Sequence, residues 1–251
     1  MVTQGPALFA GFLALFGYVV AVPDTQEALS RARWLGTWAA MPQLCETWNM
    51  PPAPFTQNNS VFYNATLRQS LKISLPGPLL RLRISNAYGP TSLPLTAVTI
   101  ALPANESAIG TPSIRTETLQ TITFGGDISF SVPAGAQAVS DPLKLNVPEN
   151  GVLTVSIYLA QGQSGNYITA HPGSRTTSYF VFGDQTRAAA LNSASVAEHW
   201  YFISGVEVVS SDPKTVALAI IGDSITDGYG STKNGNDRCV LCRHFAHEPL
   251  H

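Results

Sequence analysis

The sequence predicts a mainly β protein: an antiparallel β-sandwich, jelly-roll-like, followed by the first strand and turn of an α/β domain. Three observations predict it. From Val61 to Val209 apolar and polar residues alternate over short stretches, the period-2 signature of strands with one buried face. Between those stretches stand PGP (Pro76 to Pro78), GGD (Gly125 to Asp127), PAG (Pro133 to Gly135) and PEN-G (Pro148 to Gly151), turn formers at the spacing of sandwich loops. After SSDPK (Ser210 to Lys214) the alternation gives way to a continuous apolar run, Val216 to Ile221, ended by Gly222. Such a run suits a strand buried on both faces of a parallel sheet.

Two strands of the alternating region are explicit. In Leu80 to Ser85 the side chains of Leu80, Leu82 and Ile84 are expected to face inward, with Arg81, Arg83 and Ser85 toward water. In Leu153 to Leu159 the inward set is Leu153, Val155, Ile157 and Leu159. No long 3.6-period segment, internal repeat or low-complexity tract interrupts them, and MPPAPF (Met50 to Phe55) reads as an ordered surface crossing. The expected division is a signal peptide over 1–21, a β-sandwich domain over 34–210, the start of a second domain over 215–238, and a divergent tail over 239–251.

Composition narrows the function classes. With 251 residues, 45% of them hydrophobic, the chain can bury a sizeable core. Charged residues are 12%, and 14 basic against 16 acidic side chains leave no surplus for gripping nucleic acid or an anionic membrane. The apolar run from Ala7 to Val22 is shorter than the ~18 to 20 residues that span a bilayer, so it reads as a secretory signal cut after Ala21, not as an anchor. Entry into the secretory pathway makes Asn58, Asn64 and Asn105, each in an Asn-x-Ser/Thr triplet, candidate glycan acceptors. Three cysteines are too few for a disulfide framework, so stability is expected from the core.

The apolar run leads directly into GDSITDGYGS, Gly222 to Ser231. That places Ser224 at the carboxyl end of the expected strand, where the ligand and catalytic sites of α/β sheets gather. Gly222 allows a sharp bend, and Asp223, Asp227 and Gly228 support the turn. A serine there can offer its hydroxyl as nucleophile and its N–H as oxyanion donor to the same carbonyl group. A phosphate-binding loop is excluded because no Gly-Lys-Ser/Thr follows. A calcium loop is excluded because Ile225 and Asn234 occupy positions that need ligands. The plain alternative is an Asp-Ser pair capping a helix.

GDSITDGYGST resembles the first conserved block of SGNH/GDSL-type hydrolases, with Ser224 at the position of the nucleophile. The strings WLGTWAAMPQL (Trp34 to Leu44), TLRQSLKIS (Thr66 to Ser74), LRLRISNAYG (Leu80 to Gly89), LPLTAVTIAL (Leu93 to Leu102), ITAHPGSRTTSYF (Ile168 to Phe180) and HWYFISGVEV (His199 to Val208) are similar to the β-sandwich that precedes the hydrolase domain in a secreted subgroup of these esterases. The resemblance covers roughly residues 34 to 238. It implies cleavage of a carboxylic ester, on a small molecule or a carbohydrate such as an acetylated polysaccharide, through an acyl-enzyme. It also implies a late histidine as base, oriented by an aspartate three residues before it, and an oxyanion hole completed by later Gly and Asn blocks. No metal or organic cofactor is implied.

The chain departs from that pattern after Arg238. Its last residues, CVLCRHFAHEPLH, do not resemble the expected continuation, and no aspartate in the sequence has a histidine three positions later. The expectation is therefore a family member shortened after the nucleophile block, with slight activity, because a serine hydroxyl without a base is a weak nucleophile. His171, in a Pro-Gly turn, and the tail residues His244, His247 and His251 are poor substitutes for the base. Cys239, Cys242, His244 and His247 lack zinc-module spacing, since one residue separates Cys242 from His244. A different class remains open: a non-catalytic secreted sandwich that binds carbohydrate or a partner through Trp48, Tyr88 or Tyr167.

Overall fold

The computed structural model describes residues 32–105, 108–228 and 230–235. The expected signal peptide over 1–21 and the tail cysteines and histidines lie outside the described residues. Within them the chain is mainly β, and every named strand pair is antiparallel. The helical elements among the described residues are 3-10 turns of three residues each.

Two sheets build the sandwich. The smaller has four strands in the order Arg33–Ala39, Ile203–Ser210, Leu80–Ser85, Gln137–Val139. The larger has six, in the order Ser195–Ala197, Ser178–Phe182, Ala65–Lys72, Val152–Leu159, Ala97–Ala101, Gln120–Ile122. Their inward rows meet in one core, with Leu82, Ile84 and Val206 from one side and Leu67, Ile100 and Val155 from the other. Side-chain alternation on a pleated strand puts those residues on one face. Each fully buried Leu, Ile or Val contributes ~1.5–3 kcal/mol by leaving water. Edge-to-face packing of Trp38 on Trp200, centroids 4.8 Å apart, closes one end of this core.

The turn signals fall where expected. Gly125, Gly126 and Gly135 take positive φ, as does Asn150 just before Gly151. Leu80, Leu82 and Ile84 are buried while Arg81 and Arg83 are half-exposed. Ser85, expected to face water, is instead fully buried. Its N–H donates to Phe202 O at 2.7 Å and its Oγ accepts from Ala87 N–H at 3.3 Å, so the strand's last residue is locked into a turn.

The six-stranded sheet buries both faces at its centre, which the alternating pattern does not announce. On Ala65–Lys72 the outward row includes Thr66, Arg68 and Ser70, all buried. Loops around Pro112 and Gln185 to Ala188 cover that face and are held by one side chain. Arg68 Nε donates to Ser156 Oγ at 2.9 Å, Nη1 to Pro112 O at 2.7 Å, and Nη2 to the carbonyls of Gln185 (3.1 Å), Thr186 (3.4 Å) and Ala188 (2.9 Å). Burial pulls the guanidinium down to about 10, so it stays charged at neutral pH. The fork geometry of Arg serves these diverging acceptors in a way that a point-charge ammonium does not.

On the four-stranded sheet Glu207 lies across from Arg81 and bonds both arginines: Arg81 Nε donates at 2.5 Å and Arg83 Nη2 at 2.6 Å. Arg81 also stacks 4.2 Å from the Trp34 ring centroid. Burial by itself raises the Glu207 carboxyl, but the hydrogen bonds and charges of Arg83 and Arg81 outweigh it and hold the group below its ordinary value of 4.5. Cys45 is a buried free thiol that burial, and then the Glu46 charge, push up to about 12, so it is inert as a nucleophile at neutral pH.

Two consequences for stability can be measured. Arg68→Met removes a cationic donor from four loop carbonyls, of which Ala188 O has no other donor among the described residues, and is expected to lower the unfolding free energy by ~3 kcal/mol or more, read by urea denaturation. The second concerns pH. A carboxylate depressed in the folded state contributes stability that is present above its unfolded value and is lost as pH falls through its folded value. Glu207→Gln should therefore cost ~1.5 kcal/mol at pH 7, and that cost should shrink as pH falls through the depressed folded value of the native carboxylate.

Candidate functional site

The chain leaves the sandwich at Ser210, the end of the last described strand. Arg33 tethers the residues just beyond, its Nη2 donating to Pro213 O at 2.9 Å and Thr215 O at 2.6 Å. Val216–Ile221 then forms no strand: Val216 is 75% exposed and Ile221 93%. Among the described residues no backbone hydrogen bond involves this run. The doubly buried strand expected here is thus corrected, and the physical reason is simple. A strand buries two faces only between neighbours that pair its N–H and C=O groups, and among the described residues none flank this segment.

The motif itself folds into one capped turn. Asp223 Oδ1 accepts from Ile225 N–H at 2.9 Å, and Asp223 O accepts from Asp227 N–H at 3.0 Å. That is the geometry of an N-cap over a single helical turn, the plain alternative for this segment. Gly228 ends the turn with φ 93, a conformation that favours glycine. A Cβ on Gly222 would stand 2.1 Å from Thr226 Oγ1, so the small residue lets the turn close on itself. Ser224 is exposed. Among the described residues neither its hydroxyl nor its N–H has a hydrogen-bond partner.

Asp227 does something that spacing does not reveal: it reaches back to the sandwich. His171 Nε2 lies 2.9 Å from Asp227 Oδ1 and 3.0 Å from Oδ2. The other ring nitrogen, Nδ1, accepts the Met41 N–H at 3.3 Å. The neutral tautomer that fits both contacts carries its proton on Nε2 and donates it to Asp227. His171 is only 5% exposed, and its ring packs 5.6 Å from Trp200. Both nitrogens are engaged, so His171 has no lone pair left to take a proton from Ser224.

Further contacts extend this docking along the HPGSRT segment. A Cβ on Gly173 would fall 2.1 Å from Asp227 Oδ2, so only glycine leaves room for the carboxylate. Arg175, in the left-handed region at φ 49, donates from Nε to Ser231 O and accepts Asn234 N–H on its carbonyl at 3.0 Å. Asn234 Oδ1 accepts Thr177 N–H at 2.8 Å, and its Nδ2 donates to Thr177 Oγ1 at 2.9 Å. Lys233 pairs with Glu198 at 2.6 Å. Gly173, Arg175, Thr177 and Asn234 carry no individual signal of this role in the sequence. The one signal is that their two strings, HPGSRTT and the stretch after GDS, stand out together.

The remaining candidates are dispersed. Asn64 is exposed at φ 47, with its Oδ1 accepting from Tyr158 OH at 2.9 Å. Asn105 is exposed, and Asn58 lies in the 3-10 turn Gln57–Asn59. Trp48, Tyr88 and Tyr167 are exposed, Trp48 at 81%. Among the described residues no three His, Cys, Asp or Glu side chains stand where they could hold a metal. No described helix is long and apolar enough to cross a membrane. The sequence matches no family model and no curated protein.

Since the described backbone beyond Thr215 is unpaired until the capped turn, limited digestion of the whole protein with subtilisin is expected to cut first between Val216 and Gly222. It should leave a resistant fragment that ends there. An initial cut inside the strands Ala65–Lys72 or Ile203–Ser210 would contradict this expectation.

Proposed function

We propose that this chain is a secreted member of the SGNH/GDSL-type serine esterases, in which Ser224 is the nucleophile and the substrate is a carboxylic ester on a small molecule or carbohydrate. The observation that carries the reading is the Gly222–Gly228 turn. It holds an exposed, uncommitted serine hydroxyl and N–H at its start, and it is docked onto a β-sandwich of the kind that the resemblance implies. In acyl transfer the hydroxyl attacks the carbonyl carbon while the adjacent N–H faces the developing oxyanion.

The reaction also needs a base. No Asp-x-x-His stands within these 251 residues, and His171 is committed elsewhere. A positioned general base contributes about 10²–10⁴-fold, so turnover by this chain is expected to be slow by that order. Localisation outside the cell, and use of Asn58, Asn64 and Asn105 as glycan acceptors, belong to the same proposal.

A second reading, a non-catalytic module binding carbohydrate or a partner, is favoured by one observation: the exposure of Trp48, Tyr88 and Tyr167. One assay separates the two. The protein and its Ser224→Ala variant are compared in hydrolysis of p-nitrophenyl acetate and in retention on insoluble acetylated polysaccharide. The esterase reading expects slow hydrolysis that Ser224→Ala abolishes. Equal hydrolysis by both, together with retention that Ser224→Ala leaves intact, would sink it in favour of the binding module.

A further inference from the structure

We propose that His171 is the positioning residue of the motif turn: through Asp227 it clasps the segment carrying Ser224 to the sandwich, in a slot that Gly173 keeps open. The inference deepens the esterase reading, because it assigns the sandwich a part in presenting the nucleophile. The clasp itself rests on geometry that does not need that reading.

The imidazole is a prepared donor. Its strand, Thr169–His171, is paired on both sides, with Trp200–Tyr201 and with Gln43–Leu44. The ring rests on Trp200, and Trp200 is in turn fixed by its indole N–H to Ser70 O at 3.0 Å. The Met41 N–H on Nδ1 selects the tautomer that points a proton from Nε2 out of the sandwich. A buried, oriented donor of this kind needs an acceptor, and the Asp227 carboxylate supplies one at 2.9 Å. The neighbouring charges are already paired, Lys233 with Glu198, and the Arg175 side chain bonds the Ser231 carbonyl.

Asp227 is joined rigidly to the nucleophile. Its N–H closes the same turn whose first residue is Asp223, so fixing its carboxylate fixes the place of Ser224 one residue beyond the cap. The unpaired run before the turn exerts no such control. Position must therefore be set from the sandwich side.

Amide hydrogen exchange on the intact protein tests this, with the wild type, Asp227→Ala, Gly173→Ala and Asp227→Asn compared. Asp227→Ala removes the acceptor, and Gly173→Ala places a methyl where the carboxylate sits. Both should speed exchange over residues 222–235 by about tenfold, equal to ~1.4 kcal/mol of docking free energy. Peptides of the sandwich strands report that the fold is intact. Asp227→Asn keeps an oxygen for the Nε2–H and should restore protection to within a few-fold of the wild type. The His171 Nε2 proton should resist solvent exchange in the wild type and in Asp227→Asn, and vanish from the spectrum of Asp227→Ala.

Unchanged exchange over 222–235 in Asp227→Ala, or no rescue by Asp227→Asn, overturns the clasp. Labelling of Ser224 by a fluorophosphonate, read by mass spectrometry, runs alongside. A wild type that is never labelled overturns the proposed function, while the exchange data still decide the clasp.

Discussion

Every strand buried in this protein must find partners for the N–H and C=O groups on both of its edges, and that requirement organises the rest. Ile203–Ser210 lies between Arg33–Ala39 and Leu80–Ser85. Ala65–Lys72 lies between Val152–Leu159 and Ser178–Phe182. Both central positions are filled from within the sandwich, so the chain emerging at Ser210 meets no open place beside either. An unmade backbone hydrogen bond costs about 1–3 kcal/mol when the group is buried. The apolar run therefore stays in water, where its carbonyls and amides are solvated, despite side chains that prefer burial.

The same requirement explains a charge placed deep in the sandwich. Arg68 stands on the outer face of the six-stranded sheet, where loops cover the strands instead of solvent. Those loops carry carbonyls outside the strand ladders, and a single planar cation with diverging N–H groups bonds four of them together with Ser156 Oγ. No carboxylate is among these partners. The cation is held by dipoles, and the loops around Pro112 and Gln185 to Ala188 are held by the cation. Glu207 works differently: on a face open to water it couples two arginines that would otherwise repel along the neighbouring strand.

Where the sandwich ends, polar side chains take over from ladders. Among the described residues no strand holds the stretch after Thr215, yet Asp227, Ser231 and Asn234 are each gripped by the segment running from His171 to Thr177. Hydrogen bonds of this kind fix direction and register without burying much apolar area, so the turn can sit in a defined place on a rigid scaffold while Ser224 stays open to solvent. The same grip that places the serine also consumes the His171 imidazole. Positioning and proton transfer are separate demands, and His171 serves the first.

The period-2 alternation, the Gly and Pro turns and the inward rows Leu80, Leu82, Ile84 and Leu153, Val155, Ile157 were all legible in the sequence, because pleated strands translate local order directly into sidedness. The capped turn at Asp223 stood in the sequence only as the alternative reading, although an Asx cap needs only neighbours two residues away. Burial of Ser85 and Arg68, the exposure of Val216–Ile221, and the pairing of His171 with Asp227 were not legible. Each depends on what another part of the chain brings to the spot: a turn, a covering loop, a missing neighbour strand, an acceptor 56 residues distant. Sequence by itself determined which residues could form strands and the turn that carries Ser224. Only the tertiary structure decided which of them found partners, because hydrogen bonds and burial are settled between segments and not along them.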